Sequence, residues 1–310
     1  MQLELDAIRA IVGHLAHLRA EYGEVLGEPD LVEPNADYFP DEFTRDAEGV
    51  DAVLRRMLSY APLSDELEIA LGFVEPEESA GGGCGTGACK PGEGEKLVAR
   101  GNAVETEDGY GVILNVADAG DPTMMTTSLA RSIGRLVLFE ADEDVDPRDE
   151  AALAELTAVA CGFGVILLEG SSVYKKGCGG MRQHRATHLS VEELSLALAL
   201  FVRATETKAG VAKRHLSTTQ KEAFDAALDW VDAQPKLVTR LRDEPDTLAD
   251  GVFELEAPKG LLARLLTSKP KDDADDTIAI RAKERASLRT DEEKRRIAEA
   301  RKLVEEALQD

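Results

Sequence analysis

Three cysteines are the residues whose chemistry is easiest to place on this sequence. Cys84 and Cys89 have four residues between them in a glycine-rich segment, and Cys178 lies between two glycines further along the chain. Three thiolates could converge on zinc, or two could form a redox-active disulfide. Their spacing differs from the two-residue interval of common zinc ribbons and thioredoxin-like sites. A zinc or redox role at Cys84, Cys89 and Cys178 is therefore one hypothesis, and exposed thiols without such a role are the alternative.

Two pairs of histidines also have spacings that could suit a metal ion. His14 and His17 lie three residues apart in a segment with helical periodicity, but no third ligand stands near them in the sequence. His184 and His188 have the four-residue interval of zinc peptidases, with arginine in place of the catalytic glutamate. They precede Ser190, a predicted helix cap, so a helix that carries both is not expected. We therefore expect structural roles for both pairs.

The elements that would position a site follow in the order strand, hairpin, helix, acidic connection, helix. An apolar run bounded by turn residues predicts the strand, and an Asp-Gly step between two extended segments predicts the hairpin. An acidic cap followed by proline predicts the start of the first helix. The predicted elements are a strand at 67–74, extended segments at 96–104 and 111–116, and helices at 122–139 and 147–161. This pattern predicts an α+β protein, mostly helical, with a small mixed sheet packed on the helix at 122–139.

The helix at 122–139 carries the polar side chains that bear most directly on function. Apolar residues at helical spacing mark its buried stripe, while Arg131, Ser132 and Arg135 occupy other positions. In zinc peptidases of the zincin type, such a helix carries His-Glu-x-x-His, in which two histidines bind zinc and the glutamate is the general base. This sequence contains no such motif, and two arginines one turn apart cannot ligate a cation. The order of elements is compatible with a zincin, but the metal-binding residues are replaced.

Three patches of the sequence are similar to a family of uncharacterised bacterial zincin-like proteins. The patches are Tyr38–Pro40, Asp149–Val165 and the residues from Leu189 to Phe201. Members of that family resemble zincins in carrying His-Glu-x-x-His on the helix before the second patch, and an acidic pair within it. The resemblance covers about residues 32 to 232 and implies a zincin-like α+β domain.

Carried over residue by residue, the family's metal motif is degenerate in this chain. The resemblance places the two histidines at Arg131 and Arg135 and the glutamate at Ser132. It places the third zinc ligand at Ala151, and the acid that orients a ligand histidine at Glu155. The resemblance therefore implies a non-catalytic protein in which Arg131 and Arg135 meet acidic groups, either Glu155 or a carboxylate on the ligand. The alternative is a fortuitous similarity, with an ordinary ion-pair network between two helices.

Composition argues against two classes of partner. The chain has 36 basic and 60 acidic residues and a net charge of −24, which disfavours binding to nucleic acid and to anionic membrane surfaces. The longest weakly polar run, at 157–168, is shorter than the roughly 20 residues of a membrane helix, so no membrane span is expected. The amino terminus lacks a secretory signal, which favours a cytoplasmic location. An acidic surface that serves solubility in high salt is a purely structural alternative.

These observations predict a non-catalytic, zincin-like protein that binds a protein or peptide partner. The partner is expected to add as a strand along a sheet edge near Gly111–Val116. The zincin-like domain with its N-terminal helices is predicted at residues 1–235, followed by a charged helical extension at 236–310. The alternative function is the cysteine-based zinc or redox protein described above, and apart from that zinc no cofactor is expected.

Overall fold

Helices account for most of the fold in the computed structural model, which describes residues 3–27, 29–75, 102–106, 109–143, 145–177 and 180–255. The α-helices are α1 (Leu5–Leu26), α2 (Ala47–Leu58), α3 (Val116–Ala119), α4 (Pro122–Glu140), α5 (Glu150–Ala158), α6 (Gly164–Gly170), α7 (Val191–Ala204), α8 (Ala209–Lys213), α9 (Thr218–Asp232) and α10 (Pro235–Asp243). A π-helix (Val159–Phe163) joins α5 to α6, and a 3-10 helix (Pro245–Thr247) follows α10. The strands are β1 (Ile69–Val74), β2 (Asn102–Glu105), β3 (Tyr110–Asn115), β4 (Val173–Gly177) and β5 (Gly180–His184).

The strands form one small mixed sheet and one separate hairpin. In the three-stranded sheet the order is β1-β3-β2, with β1 parallel and β2 antiparallel to β3. The hairpin pairs β4 with β5. The sheet packs through β2 and β3 against α4. The structure thus confirms the predicted α+β class, mostly helical with a small mixed sheet packed on α4.

β3 is the central strand of the sheet, which corrects the expected position of the sheet edge. Ile113 lies opposite Gly72 of β1 on one side and pairs with β2 on the other. Val112 and Leu114 alternate with it and are fully buried. Both sides of β3 are occupied by hydrogen-bonded strands, so a peptide cannot add along Gly111–Val116. The prediction of a binding edge there is wrong, and the outer strands of the described sheet are β1 and β2.

α4 is a central helix of the fold, and it packs very closely against α5. Asp121 caps its amino end by accepting a hydrogen bond from the amide of Thr123 (3.1 Å), and Pro122 occupies the first turn, as the sequence predicts. At the contact with α5, a Cβ atom on Gly134 would lie 1.9 Å from the carbonyl oxygen of Ala154. Glycine is required at this position, because any side chain would force the two helices apart.

α5, the π-helix and α6 form one continuous apolar segment, where the sequence predicts a helix that ends near residue 161. Inside the π-helix Gly162 has a φ of 95°, and its carbonyl accepts a hydrogen bond from the amide of Val32 (3.0 Å). A Cβ atom at Gly162 would lie 2.1 Å from the carbonyl oxygen of Asp30, so this close approach also depends on glycine. The 21 residues Glu150–Gly170 are long and apolar enough to cross a membrane, and 89% of their most apolar window is buried inside the protein.

The described residues after α9 pack on the same hydrophobic core as the rest. Leu237 and Leu241 of α10 are buried, and so are Leu248 and Phe253 beyond it. Residues 256–310 lie outside the described part of the chain. The proposed division into 1–235 and a charged extension at 236–310 therefore stays a prediction.

Candidate functional site

Arg131 and Glu155 form a buried ion pair between α4 and α5. Nε of Arg131 lies 2.6 Å from Oε1 of Glu155, and the two side chains are 9% and 0% exposed. A second nitrogen of the same guanidinium, Nη1, donates a hydrogen bond to the carbonyl oxygen of Ala186 (3.0 Å). The sequence-based expectation that Arg131 meets Glu155 is confirmed.

Glu155 also holds the segment of chain that leads into α7. Its carboxylate accepts hydrogen bonds from the backbone amides of His188 (2.5 Å) and Leu189 (2.8 Å). Burial raises the pKa of Glu155, while the Arg131 guanidinium and these two amides act in the opposite direction. Both carboxylate oxygens thus have donors from within the protein, so the group fixes a loop and is not presented to a ligand.

Arg135 pairs with a different acid from the one expected. Its Nε lies 2.6 Å from Oε1 of Glu150, and both side chains are about one quarter exposed, at 23% and 25%. The guanidinium also lies over the ring of Phe139, 5.2 Å from the centroid. Arg135 lies one turn after Arg131 on α4, and Glu150 lies about one turn before Glu155 on α5. The second arginine therefore reaches Glu150 rather than Glu155. The pairing of Arg135 with Glu155 is therefore wrong, although an ion-pair network between the two helices is present.

Ser132, where the resemblance would place the general base, lies in a closed environment. Its side chain is fully buried and donates a hydrogen bond to the backbone carbonyl of Ser128 (3.1 Å). Because this hydrogen bond stays within α4, the Ser132 hydroxyl does not use it to contact another element. The residues at the positions where the resemblance would place zinc ligands do not fit zinc, because Arg131 and Arg135 offer only N–H donors and both are paired with acids.

The other sequence-based metal candidates are not assembled in the described residues. Within 3–27, 29–75, 102–106, 109–143, 145–177 and 180–255, no group of three or more histidine, cysteine, aspartate or glutamate side chains could hold a metal ion. Cys84, Cys89 and Cys178 lie outside the described residues, so the zinc or redox hypothesis stays a prediction. Cys161, in the π-helix, is buried, and burial raises the pKa of its thiol to about 12.

The histidine pairs occupy structural positions. Nε2 of His14 lies 3.0 Å from the hydroxyl of Thr157 on α5, and Nε2 of His17 lies 2.6 Å from Oε1 of Glu143. Burial, reinforced by the nearby His17, lowers the pKa of His14 to about 4. His184 is the last residue of β5 and His188 lies in the following loop, so the two do not share a helix.

The outer side of β1 was not recognised from the sequence as a site. The amide of Tyr110 donates to the carbonyl of Glu68 (2.8 Å), which sets the alternation of the parallel β1–β3 pair. The backbone groups of Ile69, Leu71 and Phe73 then point away from β3. The carbonyl of Ile69 accepts a hydrogen bond from Arg55 Nη2 (2.6 Å), whereas nothing in the described part of the chain hydrogen-bonds to the outward groups of Leu71 and Phe73. We call this outward side of β1, together with the side chains of Phe73 and Val74, the β1 edge.

Exposed apolar side chains accompany this edge. Phe73 is 38% and Val74 is 40% exposed, and they lie on opposite faces of the sheet. On the face away from α4, Val104 of β2 is 37% exposed and lies against Gly111 of β3. The sequence predicts a strand at 67–74 from its apolar run, but an apolar run does not distinguish a buried strand from an exposed edge.

Acidic side chains flank the β1 edge at both ends. Glu66 and Glu68 precede β1, Glu75 follows it, and all three are exposed. Glu105, at the end of β2, is also exposed. The edge therefore combines an apolar centre, outward hydrogen-bonding groups and a negative rim.

No protein-family model, curated protein or solved structure matches this chain. The resemblance to zincin-like proteins therefore remains a hypothesis from the residues quoted above. Two sites in the described residues bear on function, the buried ion pair and the β1 edge.

Proposed function

We propose that this chain is a non-catalytic, zincin-like protein that binds an extended segment of a protein or peptide partner along the β1 edge. The observation that carries the proposal is the edge itself, where the outward backbone groups of Leu71 and Phe73 lie beside exposed Phe73 and Val74 side chains. The non-catalytic part rests on Arg131 and Arg135, which occupy the zincin ligand positions and are each paired with an acid.

Strand addition is the binding mode that this edge favours. An extended peptide beside β1 would hydrogen-bond to the N–H and C=O groups of Leu71 and Phe73, which gives affinity independent of sequence. Successive peptide side chains would lie on alternate faces of the sheet, against Phe73 on one face and Val74 on the other. The preferred peptide therefore has apolar side chains at alternating positions.

The charge around the edge selects among such peptides. Glu66, Glu68 and Glu75 are exposed at the two ends of β1, and the whole chain carries a net charge of −24. Opposite charges accelerate association and disfavour partners of like charge. We expect the bound segment to have lysine or arginine on one or both sides of its apolar centre.

Selection from a displayed library of random peptides, long enough to span β1, tests the binding proposal. We expect enrichment of segments with alternating apolar residues and basic flanks, with affinities then measured by fluorescence anisotropy. Phe73→Pro should weaken binding at least about tenfold. It removes an outward N–H and leaves the β1–β3 hydrogen bonds intact, because the amide of Phe73 points away from β3.

The matched control is Val252→Ser, which removes another exposed apolar side chain, 77% exposed and outside the sheet. This variant should bind the selected peptides as the wild type does. Peptides that bind Phe73→Pro and the wild type equally, or a selection without enrichment, would refute the β1 edge as the binding site. A circular dichroism spectrum of each variant establishes that it is folded.

The zincin part of the proposal has its own test. The combined variant Arg131→His, Ser132→Glu, Arg135→His and Ala151→Glu restores the motif that the resemblance implies. Glu155 would then lie beside a histidine at position 131 and could orient it, as acids do for zinc-bound histidines. The folded variant should take up stoichiometric zinc by metal analysis, and the same variant without Ala151→Glu should take up less. A folded quadruple variant without zinc would contradict the zincin-like geometry and leave the peptide proposal standing.

A further inference from the structure

A cavity of about 240 Å³ lies on the side of the core formed by α1, α7 and α10. Its floor is apolar and buried, with Leu15 of α1, Phe201 of α7 and Leu241 of α10 each no more than 5% exposed. Ala160 contributes from the π-helix.

The cavity has a defined capacity. An apolar cavity of about 150 Å³ accommodates benzene, with its six carbon atoms. A cavity of 240 Å³ therefore has room for roughly ten non-hydrogen atoms. This is the size of a small organic molecule, and the apolar floor favours a hydrocarbon part that covers it.

Two arginines, Arg19 of α1 and Arg242 of α10, contribute N–H donors to the cavity wall. Arg242 is held in place by neighbouring acids, with Nε 2.8 Å from Oδ1 of Asp243 and Nη1 2.5 Å from Oε1 of Glu206. Both arginines act on Asp243, and with the hydrogen bonds from Arg242 as the main cause they lower the pKa of that carboxyl. A guanidinium has five N–H donors in a fixed plane, so Arg242 can serve a further carboxylate without releasing Asp243 or Glu206.

We propose that this cavity binds a small monocarboxylate with an unbranched apolar chain of about eight carbons. The hydrocarbon chain would lie on the floor formed by Leu15, Phe201 and Leu241, and the carboxylate would meet Arg19 and Arg242. Guanidinium groups bind carboxylates through charge-assisted hydrogen bonds, and the apolar floor supplies affinity in proportion to the hydrocarbon area that it covers. This site is separate from the β1 edge and does not depend on the function proposed there.

Gly23 allows the cavity to be filled without disturbing the fold. It lines the cavity from α1, and a Cβ atom at this position would meet no heavy atom within 4 Å. Glycine inside a helix is less stable than residues with better helix propensity. Gly23→Leu should therefore occupy the cavity while keeping or raising the melting temperature of the unliganded protein.

Calorimetric titration of the full chain with sodium octanoate, below its micelle concentration, is the test. We expect saturable one-to-one binding to the wild type, and affinity at least about tenfold weaker for Gly23→Leu. Arg242→Gln should weaken octanoate about tenfold while changing the affinity for octan-1-ol, which has the same chain and no carboxylate, by less than about twofold. Asp243→Asn, which removes a competing carboxylate, should strengthen octanoate binding.

Three outcomes would overturn the proposal. Octanoate without saturable binding to the wild type would refute a ligand of this class. An unchanged affinity in Gly23→Leu, with the variant folded and its melting temperature maintained, would show that octanoate binds elsewhere. An Arg242→Gln variant that binds octanoate as tightly as the wild type would remove the role of the carboxylate.

Discussion

The Arg131–Glu155 pair and the β1 edge treat polar groups in opposite ways. At the pair, one guanidinium, one carboxylate, two backbone amides and a backbone carbonyl satisfy one another in a fully buried setting. At the β1 edge, the backbone groups of Leu71 and Phe73 face outward beside side chains that are themselves apolar and exposed. Buried polar groups are costly unless they are hydrogen-bonded, so the groups of the first region must bond one another and none is left for a ligand. At the second, nothing in the described residues bonds the outward groups of Leu71 and Phe73, so an added strand can do so.

This difference separates the residues that suggest a function from the residues that could perform one. Arg131 and Arg135 attract attention because the resemblance to zincin-like proteins places metal ligands there, yet both arginines are paired with acids inside the protein. The β1 edge contains no residue type associated with catalysis, but it presents a surface to which another chain can add. The proposed function therefore rests on the β1 edge for binding and on the paired arginines for the absence of a metal site at their positions.

The largest effect should come from breaking the buried pair. Arg131→Met keeps a long side chain but leaves the carboxylate of Glu155 buried without its cation, and we expect a loss of about 3–5 kcal/mol in the free energy of unfolding. Urea denaturation monitored by circular dichroism measures it. Arg135→Met is the matched control on the same helix, and it should cost less than about 1 kcal/mol because its partner Glu150 is one quarter exposed.

Equal losses in Arg131→Met and Arg135→Met would contradict the comparison. They would mean that the closed environment of the first pair adds nothing to its energetics. Glu155→Gln provides a further check, because its NH2 group would replace one of the two oxygens that accept from the amides of His188 and Leu189, and a donor would then face a donor. We expect this variant to lose more stability than Glu150→Gln does.

Close packing in the helical layer gives the next largest effect. Gly134→Ala places a methyl group 1.9 Å from the carbonyl oxygen of Ala154, so α4 and α5 must separate, and we expect a loss of about 3 kcal/mol. Gly23→Ala, in α1 and with nothing within 4 Å, should instead gain up to about 1 kcal/mol. Differential scanning calorimetry of the two variants measures both signs. A neutral Gly134→Ala would show that the helices are less closely packed than the structure indicates.

Local signals in the sequence account for the elements, but not for their arrangement. Asp121 and Pro122 predict the start of α4, and Ser190 with Glu193 predicts α7, where both hydrogen bonds of the capping box are present. The Asp-Gly step ahead of Tyr110 predicts the β2–β3 hairpin, whose antiparallel pairing is observed. Each of these signals is complete within a few residues, so no knowledge of the distant chain is needed.

The strand order could not be predicted in the same way. β1 pairs with β3 across 41 positions of sequence, as Ile69 lies opposite Tyr110, and no local pattern specifies that pairing. β3 therefore looks like an edge when only the β2–β3 hairpin is considered. The pairing of Arg131 with Glu155 was predictable from the motif positions, whereas the switch of Arg135 to Glu150 depends on how α4 crosses α5. The cavity beside Gly23 depends on how α1, α7 and α10 meet.

The pH dependence of stability tests a second buried group of the helical layer. The pKa of His14 is about 4 in the folded protein, below its usual value of 6.5, because burial disfavours the charged form. Between these two values the unfolded chain holds a proton that the folded His14 does not, so stability falls as pH decreases through this window. The loss should reach about 3 kcal/mol at pH 4 relative to pH 7. The pKa of about 4 already contains the effects of the neighbouring side chains, since His17 lowers it and Glu143 raises it.

His14→Gln keeps a hydrogen-bonding side chain beside Thr157 but does not titrate. Its unfolding free energy, measured in urea from pH 4 to pH 7, should change with a smaller slope than that of the wild type. Identical slopes in the two proteins would mean that His14 is as accessible to protons in the folded state as in the unfolded one. In that case the groups that make the protein less stable in acid lie elsewhere than at the contact between α1 and α5.

The smallest effect on stability belongs to the β1 edge, and it separates binding from folding most clearly. Val74→Thr keeps the β-branched shape and the strand propensity at a position that is 40% exposed, so the free energy of unfolding should change by less than about 0.5 kcal/mol. Binding of the selected peptides should nevertheless weaken severalfold, because an apolar contact of the added strand is lost. A variant with unaltered stability and unaltered binding would exclude the face of the edge that carries Val74. A large loss of stability would instead show that the Val74 side chain belongs to the core. The β1 edge would then differ less from the buried Arg131–Glu155 pair than the exposed fractions of their side chains indicate.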